Sequence, residues 1–139
     1  MVTIKLRGRE IPLLYTTLEM LKIQEEVSRI GEFLYTLFGR ENGDEESASL
    51  YGTPQHLNAV AKAIRIMGNA GLEESGQEPD LTDKWVMRSL SPARIPDAMS
   101  ACLEAFNQGM ESELQDDKKD EGPVDVVLED MNKKKDQES

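Results

Sequence analysis

Between Met20 and Leu37 the apolar residues recur as Met20, Ile23, Val27, Ile30, Leu34 and Leu37, at spacings of 3, 4, 3, 4 and 3. Alternating steps of three and four keep side chains on one side of a helix, so this stretch must turn one face to a core or a partner. Thr16 with Glu19 three residues later forms a capping-box pattern and sets the start. Gly31 interrupts the run, and glycine inside a helix costs about 1 kcal/mol relative to alanine. Two shorter helices divided there are expected rather than one long one.

Ahead of this stripe the period changes to two. Val2, Ile4 and Leu6 alternate with polar residues, and Ile11, Leu13 and Tyr15 fall at alternate positions after the turn "RGRE". That reads as a β-hairpin with Gly8 supplying a positive φ. A lone hairpin is marginal in water, so one face must pack on helices. Beyond the polar stretch "GRENGDEESASLYGT", expected to be an exposed loop, Thr53-Pro54 opens another helix as N-cap and first helical residue. Its stripe is Leu57, Val60, Ala61, Ile64 and Met67, with Gly71 placed to close it in a left-handed cap. Thr82 caps a third helical segment, with Leu81 and Val86 as a hydrophobic staple and Trp85 as its largest buried side chain. A last helix is expected from about Pro96 to Gln108, burying Ile95, Met99, Cys102, Leu103 and Phe106 and ending at Gly109.

The expected fold is therefore mainly α (α+β): an N-terminal β-hairpin packed on a small bundle of about four to five helices. Residues 1–110 form this domain. Residues 111–139 differ in kind, with eleven acidic residues against five lysines, and read as a charged, largely disordered C-terminal tail. Within it stands an apolar island, Val124, Val126, Val127, Leu128 and Met131, too short to make a stable isolated helix.

The net charge of −11 argues against nucleic acid as a partner, since phosphate binding needs a face rich in Lys and Arg. No apolar run approaches the roughly 20 residues that span a bilayer, and Lys5, Arg7 and Arg9 interrupt the N-terminal apolar stretch, against a signal peptide. A single cysteine fits a reducing, cytoplasmic setting. His56, the sole histidine, has no nucleophile or metal-ligand partner beside it and is expected on the surface; Cys102 falls on an apolar stripe and is expected to be a buried structural thiol. The acidic clusters lack the spacing of a calcium loop, and "MGNAGLEESG" lacks the lysine and preceding strand of a phosphate loop. No catalytic, cofactor or metal site is expected.

Taken in order, the hairpin "TIKLRGREIPLLYT" leading into "TLEMLKIQEEV", the middle "AVAKAIRIMGNAGLEESG", the helix "IPDAMSACLEAFNQGM" and the closing "VDVVLEDMNKKK" resemble the tail assembly chaperones of long, non-contractile-tailed bacteriophages. The resemblance implies a protein that is not an enzyme, acts in the bacterial host cytoplasm and is absent from the finished particle. It would bind the tape measure protein and keep it soluble while tail tube subunits polymerise, and it leaves room for self-association. Two sets of residues become candidates for partner contact. The island Val124–Met131 reads either as a docking element or as a segment packed loosely on its own domain, and Phe33, Leu37 and Phe38 read either as contact surface or as core. Many members of that family are made in two lengths by frameshifting, and Lys133 to Lys135 would suit a slip site. The rival reading is a small acidic regulator, an antitoxin-like protein or DNA mimic of prophage origin. More than half of the net charge lies in the tail, whereas a mimic would carry it on the folded face.

Overall fold

A computed structural model describes residues 1–39 and 50–120, with side chains to residue 111. The stretch from Arg40 to Ser49, most of the expected acidic loop, lies outside the described residues, as do Val124, Val126, Val127, Leu128, Met131 and the lysines at 133–135. Among the described residues the protein is mainly helical, with a two-stranded antiparallel hairpin at the start. The chain divides into two units, Met1–Gln108 and Gly109–Ser139.

Strands β1 (Val2–Leu6) and β2 (Arg9–Leu13) pair in the register Val2↔Leu13, Ile4↔Ile11, Leu6↔Arg9. Alternation puts Val2, Ile4, Leu6, Ile11 and Leu13 on the buried face. The two linking residues, Arg7 (φ 53°) and Gly8 (φ 76°), are both left-handed, as a two-residue type I′ hairpin turn requires.

Helix α1 (Thr17–Glu26) starts at the expected capping box: the Thr16 side chain accepts from the helix backbone, and the Glu19 carboxylate accepts from the Thr16 N–H at 2.9 Å. The stripe does split into two helices, but not at Gly31, which lies inside α2 (Ile30–Phe38). The break falls at Val27–Arg29, where the Gln24 side chain accepts the Ile30 N–H at 3.0 Å and so caps the start of α2. Val27, freed from the helix, is exposed, while Ile23, Phe33 and Leu37 are buried.

The centre of the unit is α3 (Pro54–Glu74), against which β2, α1, α2 and α4 (Asp83–Ser89) all pack. Thr53 caps it and Pro54 is its first residue, as the sequence predicts. Rather than one stripe, eleven of its 21 residues are buried, among them Ala59, Val60, Ala61, Ala63, Ile64, Ile66, Met67 and Leu72. Leu57, expected inside, is exposed, while its neighbour on the first turn, His56, is buried. Gly71 does not end the helix. The helix runs on to Glu74 and is closed just beyond it, where Gly76 (φ 77°) donates to the Glu73 carbonyl at 3.1 Å and Gln77 to the Leu72 carbonyl at 2.8 Å, a Schellman arrangement.

Gly68 and Gly71 serve instead to let β2 lie directly on α3. A Cβ built at Gly71 would stand 2.0 Å from the Pro12 carbonyl oxygen, and one at Gly68 2.7 Å from Leu81 Cδ1. At this crossing the Leu14 N–H donates to the Met67 carbonyl at 3.0 Å. The following loop is pinned by Asn69, whose side chain accepts from the Leu81 N–H (2.9 Å) and donates to the Leu81 carbonyl (3.2 Å).

Thr82 caps α4 through the Trp85 N–H at 3.1 Å, and Leu81 and Val86 are buried as the staple pattern predicts. Trp85 itself is only half-buried. A short 3-10 turn (Pro92–Arg94) leads into α5, Ile95–Asp120, which runs on through Gly109. A glycine inside a helix costs only about 1 kcal/mol, which the helix formers after it can offset. Ile95, Cys102 and Phe106 are buried as expected, joined by Ala98 and Ala105, whereas Met99 is half-buried and Leu103 is exposed.

An ion-pair cluster ties three helices of this unit. Asp83 accepts from Lys62 Nζ at 2.6 Å and from Arg65 Nε at 2.5 Å, and Arg65 also reaches Glu26 on α1. Burial alone would raise the Asp83 carboxyl, but the hydrogen bonds and charges of Lys62 and Arg65 outweigh it and hold the carboxyl below its ordinary value. A depressed carboxyl contributes stability that is present above the unfolded value of about 4 and disappears as pH falls through the folded value. Asp83→Asn is therefore expected to cost about 1 kcal/mol at neutral pH, small because the site is one-third open to water. In denaturant titrations from pH 7 downward, the gap to the unmodified protein should close below about pH 4.

Candidate interaction surface

Of the residues marked by the sequence for partner contact, Phe33 and Leu37 are 1% exposed each and belong to the core. Of the two readings open for them, packing is the one their position supports. Phe38 is half-buried, and its ring meets Phe106 edge-on at 6.1 Å; Phe106 in turn meets Tyr15 at 4.5 Å. These three rings, drawn from α2, α5 and the end of the hairpin, close one side of the core.

His56 is a correction. It is 1% exposed rather than on the surface, because its position on the first turn of α3 faces inward against the Tyr51 ring at 5.0 Å. Its Nδ1 accepts the Gly52 N–H at 3.1 Å, which fixes the proton of the neutral ring on Nε2. Nε2 is buried with no hydrogen-bond partner of full geometry among the described residues, although the Leu37 backbone carbonyl lies toward the ring and favours its charged form. Burial lowers the affinity of the ring for a second proton, more than that carbonyl raises it. A ring held neutral, sealed from solvent and serving as an acceptor for a turn is a structural part.

Cys102 is wholly buried, and burial pushes its thiol up to about 12, far from the thiolate needed for reactivity. Burial, with a smaller contribution from Glu19, raises the Tyr15 hydroxyl as well. Among the described residues no group of three His, Cys, Asp or Glu side chains comes together to hold a metal. No helix among them is long and apolar enough to cross a membrane.

Contact capacity lies elsewhere. Leu18 (52% exposed) and Leu21 (47%) stand three residues apart on α1, hence neighbours on one face, and they point away from the side that buries Ile23. Leu103 is likewise turned out from α5. The sequence held the signal for the first pair: both leucines fall outside the 3-4 stripe, and leucine off the stripe of a helix is apolar surface without a core to cover it.

A second surface is formed by the hairpin turn and α4. The guanidinium groups of Arg7 and Arg9 each lie 5.8 Å from the centroid of the Trp85 ring, and Arg9 also binds the Asp80 carboxylate at 2.9 Å. No family model matches this chain, and neither does any curated protein or solved structure.

Proposed function

We propose that this protein is a tail assembly chaperone of a long-tailed phage or prophage, binding the tape measure protein, holding it soluble and helping to bring tail tube subunits to it. The sequence resemblance motivates the reading, and one observation carries it: Leu18 and Leu21 form an exposed apolar pair on the outer face of an amphipathic helix whose inner face is already packed. A tape measure chain exposes apolar helical faces before the tube encloses it. An amphipathic helix offering two leucines covers such a face, while a net charge of −11 keeps the pair from aggregating. The contact is reversible and no bond is made or broken.

Co-expression with the tape measure protein encoded nearby tests this. The intact protein should keep the tape measure chain in the soluble fraction, and Leu18→Glu with Leu21→Glu should lower that fraction severalfold. Both positions are exposed, so the double variant should still unfold at the unmodified temperature. A tape measure chain equally soluble with the variant, or insoluble with the unmodified protein, would sink the proposal. Deleting residues 122–139 in the same assay measures what the Val124–Met131 island adds.

A further inference from the structure

Arg7 is the one non-glycine residue with a left-handed backbone among the described residues. Such turn positions favour Gly, Asn or Asp, since a longer side chain meets a steric cost there and gains no local hydrogen bond. An arginine at this position therefore asks for a reason outside the turn. Its guanidinium lies against Trp85, as does that of Arg9, yet only Arg9 has a carboxylate partner, Asp80. Arg7 is exposed and has no acidic partner among the described residues. Lys84 and Arg88 are exposed on the helix that carries Trp85, whereas Lys5 on β1 pairs with Glu10 on the opposite side of the hairpin from Arg9. Arg7 therefore presents an uncompensated guanidinium beside a half-open indole, on a chain whose total charge is −11.

We propose that Arg7, Arg9 and Trp85 form a docking surface for a carboxylate-rich peptide segment of a partner protein. Charge complementarity names the occupant. A guanidinium held against an indole keeps its N–H edge free, and that edge takes a carboxylate through two parallel hydrogen bonds. Trp and Arg are also the residue types that concentrate binding energy at interfaces. A nucleic acid fits less well, because following a phosphate backbone needs a longer run of Lys and Arg than the two guanidinium groups at this indole supply. The surface is separate from the Leu18–Leu21 pair, and the inference stands whether or not the partner is a tape measure protein.

Trp85 is the sole tryptophan, so its emission reports on this face directly. Titrating the intact protein at low salt with a glutamate-rich peptide should change that emission saturably, and Arg7→Gly should weaken the binding roughly tenfold, the equivalent of one lost charge-assisted contact. Glycine suits the left-handed turn, so this variant should melt no lower than the unmodified protein, and a loss of binding then cannot be a loss of fold. Arg9→Gln should weaken the same titration. A flat emission signal, or equal binding by the Arg7→Gly variant, overturns the inference. So does a stronger Arg7-dependent response to a DNA oligonucleotide of equal charge, which would make the face a reader of phosphate.

Discussion

Alanine at Gly71 should destabilise the protein by about 3 kcal/mol or more, a large share of the 5–15 kcal/mol that holds a domain of this size together. The added methyl would overlap the Pro12 carbonyl oxygen at 2.0 Å and the Pro12 carbonyl carbon at 2.5 Å, and backbone cannot swing aside as a side-chain tip can. To admit it, β2 must lift off α3, and the Leu14–Met67 hydrogen bond goes with it. Two other helical glycines calibrate the effect. At Gly68 the nearest atoms are the Leu81 Cδ1 and Ile11 Cγ2 methyls, so alanine there should cost far less, part of the strain being offset by the better helix propensity. At Gly31 nothing lies within 4 Å, so alanine should stabilise by up to about 1 kcal/mol. Urea denaturation of the three variants checks the order. Equal effects at Gly71 and Gly31 would show that the strand does not lie against the helix.

Phe33→Ala should cost about 3–5 kcal/mol, because it removes the largest side chain that is almost fully buried and leaves a cavity between α2 and the central helix. Phe33→Leu, which keeps most of the volume, should cost under half as much. The same pair of variants distinguishes core from contact: a surface phenylalanine would melt unchanged as alanine while losing a partner. Calorimetry of the two proteins, without any partner present, gives the answer.

Local signals in the sequence are reproduced wherever one residue type does one local job. Thr16 with Glu19, Thr53 with Pro54, and Thr82 are caps whose chemistry is complete within four residues, and each starts a helix where expected. The hairpin likewise follows from its own alternation. Glycine is harder to read, because a glycine carries several meanings and only its neighbours in space choose among them. Gly71 and Gly31 sit inside helices, one under a strand and one in open space, while Gly76 is the true terminator. The inward position of His56 is equally hidden: what buries it is the Tyr51–Gly52 turn folding over it, a contact no periodicity encodes. The burial of α3 exceeds its sequence stripe for a related reason. Alanines at 59 and 63 are weakly apolar and ambiguous in a one-face pattern, but a helix covered from several sides needs small residues where its neighbours come close. As for the contact residues, Phe33 and Leu37 carry no mark that separates core from interface, since both demand the same apolar surface.

The central helix also sets a timetable for synthesis. A ribosome delivers β1 and β2 well before the turn of α3 that Pro12 rests on, some 59 residues later at Gly71. At about 5–20 residues per second the nascent hairpin waits several seconds with its valine, isoleucine and leucine side chains uncovered. Two strands alone are scarcely stable, so the early chain stays open until translation has supplied its cover, and folding of this unit is in effect a late event.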